Sequence, residues 1–132
     1  LPGMTVAIAT PSGAAFIRAG FENLESRERI NPDHFVQIGS ILKMMVGLTY
    51  WSLVDDGKIT PDARLADVMP ELVVRDGESV TMQHLFNHTS GLPGGAPMIV
   101  DGGLWTGFQP GSAWEYCNVG YRILGRIIER LD

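Results

Sequence analysis

The chain has 132 residues, the length of one ordinary domain with room for one core. Its composition, 45% hydrophobic and 19% charged with three Trp and five Phe, is that of a chain that folds in water around an apolar core. A net charge of −5 without a Lys/Arg cluster argues against a nucleic-acid partner, and the single cysteine, Cys117, excludes an intrachain disulfide scaffold and a Cys-rich zinc site.

The chain opens "LPGMTVAIATPSG", with neither a basic segment before a long apolar run nor an initiator Met. No signal peptide is visible, the sequence reads as a processed or excised piece, and its compartment stays open. Residues 4–10 and 14–19 are apolar or β-branched runs flanking "PSG", which predicts a hairpin. The polar span "GFENLESRERINPDH" that follows reads as a surface connection.

Ser40 to Asp56 predicts the principal helix, apolar nearly all round and so expected to be buried on most sides, with Gly57 as its stop. The longest apolar stretch falls short of a membrane span and carries Lys43, so a soluble chain is the simpler reading. "ITPDARLADVMPEL" predicts a turn and a short helix, and Thr81 an N-cap for the helix "MQHLFNH". Residues 93–111, rich in Gly and Pro, read as loop. In "VGYRILGRIIERL" the spacing of Val119, Ile123, Leu124, Ile127, Ile128 and Leu131 predicts an amphipathic helix. Two strands alone make a marginal sheet, so either the hairpin packs on the buried helix as a very small sheet or further strands come from elsewhere.

Ser40 and Lys43 are three residues apart, which on a helix places them on one face about 5 to 6 Å apart at Cβ. A helix start offers outward N–H groups and a positive dipole end, a place that suits a nucleophile whose product is an oxyanion. Lys43 in the first turn of a buried helix is disfavoured as a cation, which suits it to act as a base. The alternative is that Ser40 is a plain N-cap and Lys43 snorkels to the surface. For "YCN", Tyr116 to Asn118, the pair of readings is a proton-relaying phenol with a substrate-orienting amide, or a core tyrosine with an Asn N-cap. Trp105, Phe108 and Trp114 either line a pocket or pack in the core. His34 and His84 have no metal-ligand partners at useful spacing, so no metal site is expected.

In combination these stretches are more specific. Ser-x-x-Lys at 40–43, "HTSGLP" at 88–93, "FQPGSAWEYCN" at 108–118 and "GYRILGRIIE" at 120–129 occur in that order, with "PGMTVAIAT" and "LVDDGKITPDARLADVMPEL". Together they closely resemble, along essentially the whole chain, the serine β-lactamase-like family of class C β-lactamases, D-Ala-D-Ala carboxypeptidases, esterases and D-aminopeptidases. The resemblance implies an α/β (α+β) β-lactamase/transpeptidase-like fold. On it, residues 1–132 form one partial domain: an N-terminal hairpin at 1–20 and a mainly helical region at 40–132. It implies Ser40 as acylated nucleophile, Lys43 as its hydrogen-bonded partner, Tyr116 sharing acid–base work with Lys43, and Asn118 contacting the substrate amide. The Ser40 N–H would be half of an oxyanion hole, and His88 in "HTSGL" would be structural, satisfying helix-end carbonyls. The implied substrate is a small molecule or peptide with an amide, ester or β-lactam carbonyl, and no cofactor is implied.

Family members are usually well over twice this length and continue to a Lys-Thr-Gly or His-x-Gly motif on a sheet strand, which this chain does not contain. The loop between "HTSGLP" and "FQPG" is also short for the family. The expectation is therefore an N-terminal portion that needs a C-terminal segment, or another chain, to complete its sheet. A non-catalytic penicillin-binding-like module and an assembly partner are the alternatives.

Overall fold

The computed structural model describes residues 2–31, 33–75 and 77–132. The chain divides into two compact units, Leu1–Ile38 and Gly39–Asp132.

In the first unit, β1 (Gly3–Thr10) and β2 (Gly13–Asn23) pair antiparallel from Gly3↔Gly20 to Thr10↔Gly13. The two residues between them, Pro11 and Ser12, make the tight turn that "PSG" predicted. The polar span after it is more ordered than a surface connection. β2 runs on to pair with β3 (Glu28–Arg29), and the Asn23 side chain closes the turn between them by accepting from Glu25 and Ser26 N–H at 2.8 and 3.2 Å. This Asx-type turn supplies locally the backbone partners that the short strand cannot.

A register shift between Phe21 and Asn23 places Glu22 at a bulge, and bulges re-aim side chains. Glu22 Oε2 lies 2.5 Å from His34 Nδ1, and the Glu28 carboxylate falls within 4.8 Å of the same pair. His34, which its sequence spacing left without partners, thus faces two carboxylates brought to it by strand pairing. Pro32, which belongs to the same span, lies outside the described residues.

In the second unit, a 3₁₀ turn (Gly39–Ile41) leads into α1 (Leu42–Asp55). Gly57 ends it as predicted, at φ 72°, with Gly57 N–H bonded to Val54 O and Lys58 N–H to Leu53 O, both at 2.9 Å, the Schellman pattern. Next come α2 (Leu65–Val68), α3 (Met82–Phe86), the small hairpin β4 (Ile99–Val100) and β5 (Gly103–Leu104), and α4 (Asn118–Leu131). Thr81 caps α3 reciprocally: its Oγ1 accepts from His84 N–H at 3.3 Å while His84 Nδ1 accepts from Thr81 N–H at 3.2 Å. Asp101 and Gly102, at φ 50° and 80°, form the tight turn of the β4–β5 hairpin inside the segment read as loop. "VDGG" carries that hairpin signal, and its glycines outweighed it.

The core joins Tyr50 and Leu53 of α1 to Leu65, Met82, Leu85 and Leu92, closed by Ile123, Leu124 and Ile127 on the predicted apolar face of α4. Edge-on ring contacts run from Tyr50 to Phe86 at 4.6 Å and on to Tyr121 at 6.0 Å. One expectation about α1 fails. Only Tyr50 and Leu53 of this helix are buried, whereas Met44 and Leu48 are 70% and 72% exposed. α4 packs along one side, and among the described residues of this unit nothing covers the other. No helix among the described residues is long and apolar enough to cross a membrane.

Candidate active site

Four polar side chains far apart in sequence meet at the start of α1. Lys43 Nζ donates to Ser40 Oγ at 3.1 Å and to Asn118 Oδ1 at 2.8 Å, and the Tyr116 hydroxyl donates to Ser40 Oγ at 2.5 Å. All four residues singled out from the sequence are therefore brought together. The same contacts dispose of the blander alternatives.

Ser40 is not a cap. It lies in the 3₁₀ turn, α1 begins after Ile41 without a side-chain cap bond, and the Ser40 hydroxyl is turned to Lys43 and Tyr116. Asn118 is not a cap either. The N-cap of α4 is Cys117, whose Sγ accepts from Gly120 N–H at 3.2 Å, which frees the Asn118 amide to face Lys43. Sequence inspection passed over this role because Cys is a rare cap. The same thiol faces Pro93 O at 3.4 Å, and burial pushes its pKa up.

Lys43 does not snorkel away, yet it is not deeply buried. It is half-buried, with Nζ 4.8 Å above the centroid of the Tyr116 ring and 5.5 Å above that of Tyr121, where the ring quadrupoles attract an ammonium. This corrects the expectation of a desolvated lysine: because α1 is exposed on one side, the environment of Lys43 is made by hydrogen-bond partners and ring faces. The site also alters the acidity of Tyr116. Hydrogen bonding from Lys43, then from Ser40, holds its pKa below the ordinary phenol value. As a phenol Tyr116 donates to Ser40 Oγ, and a phenolate there could only accept from it.

The segment "HTSGLPGG" positions these groups. Gly91, at φ 79°, runs so close to Phe108 that a Cβ there would lie 2.2 Å from its carbonyl oxygen, and a Cβ on Gly94 would lie 2.4 Å from that of Tyr116. Glu115 Oε1 accepts from Gly94 N–H at 3.0 Å and ties the two strands of loop together. The backbone N–H groups of His88 and Thr89 reach the helix-end carbonyls of Leu85 and His84, as expected of this segment. The His88 ring does something else: Nδ1 accepts from Cys117 N–H at 3.0 Å.

Beside Ser40 and Lys43 opens a cavity of about 600 Å³ lined by the apolar side chains of Leu42, Val46 and Val119 together with Gly94, Gly95 and Arg122. None of the three aromatic residues considered for a pocket lines it. Trp105 and Phe108 border a different cavity with Arg75, and Trp114 is 64% exposed with its ring edge-on to His88 at 5.9 Å.

Known proteins resemble the chain along nearly its whole length. The chain is 31% identical to penicillin-binding protein 4 of Amycolatopsis lactamdurans, over 99% of this chain and 39% of that protein, and 30% identical to a D-aminopeptidase of Gluconobacter oxydans, over 97% and 27%. Its fold matches the crystal structure of D-amino acid amidase from Ochrobactrum anthropi at a TM-score of 0.81 and 25% identity, over 98% of this chain and 40% of that one. The chain thus spans two fifths or less of the length of these proteins. The family model described as Beta-lactamase matches residues 1–132, and with the β-lactamase/transpeptidase-type fold seen here the chain belongs to that family.

Proposed function

We propose that the chain carries the nucleophile of a serine hydrolase, which works by acyl transfer to Ser40 from an amide, ester or β-lactam carbonyl. The observation that supports this most directly is the convergence of two donors, Lys43 Nζ and the Tyr116 hydroxyl, on one serine oxygen, the pattern of a nucleophile beside its base. In this reading Tyr116, ionised with help from Lys43, takes the Ser40 proton as Oγ attacks the carbonyl carbon. The oxyanion is met by the Ser40 N–H. Tyr116 then returns the proton to the leaving nitrogen or oxygen, leaving an acyl-serine that water hydrolyses by the reverse sequence. Asn118, held through Oδ1 by Lys43, presents its NH₂ group to the substrate amide.

Lys43 serves in this scheme through its bonds to Ser40 and Asn118 and as the first cause of the lowered Tyr116 pKa. The apolar residues that the second unit leaves uncovered on α1, Met44, Met45, Leu48 and Trp51, together with the fraction of its relatives that the chain spans, support a further apolar surface packing there, from elsewhere in this chain, from more of the same protein or from another chain. The D-aminopeptidase and D-amino acid amidase among the similar proteins make amides of D-amino acids the first substrates to try.

The test is covalent. A fluorescent penicillin or a fluorophosphonate should label the wild type on Ser40, located by mass spectrometry, and leave Ser40→Ala unlabelled. Absence of labelling in a folded wild-type chain would overturn the reading, and labelling that is never followed by deacylation would favour a penicillin-binding module over a hydrolase.

A further inference from the structure

His88 sits just beyond α3 with its backbone at φ 60°, a left-handed conformation that His, Asn and Asp adopt more readily than other residues with a Cβ. From there it holds the segment bearing Tyr116 and Asn118 at three points. Its carbonyl accepts from Glu115 N–H at 2.9 Å, its Nδ1 accepts from Cys117 N–H at 3.0 Å, and its ring lies against the Tyr116 ring with centroids 4.6 Å apart and planes tilted by 35°. The Cys117 amide stands between Tyr116 and Asn118 in the chain. The His88 side chain therefore anchors the stretch of backbone from which both distant partners of Ser40 and Lys43 project.

The Nδ1 bond dictates the state of the ring. A backbone N–H can only donate, so Nδ1 must present a lone pair and the single ring proton must be on Nε2. An imidazolium carries N–H groups at both nitrogens, and the Cys117 N–H would then face another donor. Charged and titratable groups surround the ring on every packed side. Lys43 approaches from α1, Tyr121 from α4 with its ring centroid 5.2 Å away, and Tyr116 and Cys117 from the clamped segment, while the Glu115 carboxylate is turned to Gly94 N–H. Burial first, and the Lys43 charge second, lower the His88 pKa. The ring is thus neutral at neutral pH, and its protonation on acidification sets donor against donor at the Cys117 amide.

We propose that His88, which touches no reacting atom, is the positioning residue of this site: its neutral ring holds the Tyr116–Asn118 segment against Ser40 and Lys43, and proton uptake by the ring releases the segment and switches Ser40 off. The effect on rate rests on the acyl-transfer reading above, whereas the clamp itself does not.

His88→Asn separates holding from titrating. Asn tolerates the left-handed backbone and places Oδ1 near the site of Nδ1, so it keeps the acceptor but cannot take up a proton in this range. His88→Ala removes both the acceptor and the ring. Ser40 labelling rates are measured from about pH 5 to 8, across the imidazole range, for all three proteins. The Cys117 amide and the ring nitrogens of His88 are followed by NMR over the same range.

Beyond the fall that protonation of Tyr116 sets, the wild-type rate should fall by one further proton below the ordinary imidazole pKa, and the Cys117 amide resonance should move with the midpoint of that added limb. His88→Asn should label near the wild-type rate at neutral pH and lack that acid limb, and His88→Ala should lose about 10- to 100-fold, as misplaced catalytic groups do. An unchanged acid limb in His88→Asn, or a Cys117 amide indifferent to His88 titration in the wild type, would overturn the proposal. The NMR titration needs neither variant to fold. If no protein labels at any pH while the amide follows His88, the acyl-transfer reading fails and the clamp stands.

Discussion

Replacing Tyr116 by Phe removes one oxygen from the site and little else. The ring remains, with its stack on His88 at 4.6 Å, and the residue is more than one-third exposed, so the melting temperature should stay close to that of the wild type. The oxygen removed makes the shorter of the two bonds to Ser40 Oγ, 2.5 Å against 3.1 Å for Lys43, and it belongs to the group whose pKa the site lowers. If Tyr116 takes the Ser40 proton, its loss removes general-base assistance, about 10²- to 10⁴-fold in the rate of Ser40 acylation. The pH profile carries a second signature. A lowered phenol pKa means that the phenolate, and with it the rate, grows as pH rises through a value below the ordinary 10.0, and that rise should be missing in Tyr116→Phe. The assay is the second-order rate constant for labelling by a fluorophosphonate from neutral pH upward, with phenolate absorbance followed in parallel. A Tyr116→Phe protein that labels at the wild-type rate, or keeps the same alkaline rise, would refute the assignment of the base to Tyr116 and return it to Lys43.

Two further predictions concern the frame that holds the site. Leu124 is fully buried on α4, so Leu124→Ala should cost about 2 to 5 kcal/mol in urea or thermal unfolding, and a cost well below that range would contradict the core described above. Burial pushes the Tyr50 pKa up to about 12, while its hydroxyl donates to Thr60 O at 3.0 Å. Because the folded value lies above the unfolded 10.0, this contribution is complete below pH 10 and is lost as pH climbs through the folded value, on the order of 2 kcal/mol in all. In Tyr50→Phe that alkaline loss should vanish from stability measured against pH, and about 1 kcal/mol should go at neutral pH with the Thr60 bond.

Much of the site was legible before any coordinates because its chemistry is written locally. Ser40 and Lys43 are neighbours by helix spacing, the apolar period of α4 declares its buried face, and Thr81 and Gly57 mark ends by their own hydrogen-bonding and conformational preferences. Those properties belong to one residue or one turn, so the amino-acid order alone determines them. What the order could not decide depends on which groups meet across long separations. Tyr116 and Asn118 reach Ser40 and Lys43 across some seventy-five residues only because α4 packs on α1. Cys117 takes the cap that Asn118 was equally able to fill, and His88 turns its ring to the Cys117 amide while its backbone serves the helix end. Burial is decided in the same way: α1 reads as a core helix because its composition is apolar nearly all round, yet composition states what a surface prefers and only packing supplies the partner. The residues thus determine which polar groups are present, and the tertiary structure determines that four of them share one hydrogen-bonded cluster, with a histidine bonded to the amide between the more distant pair.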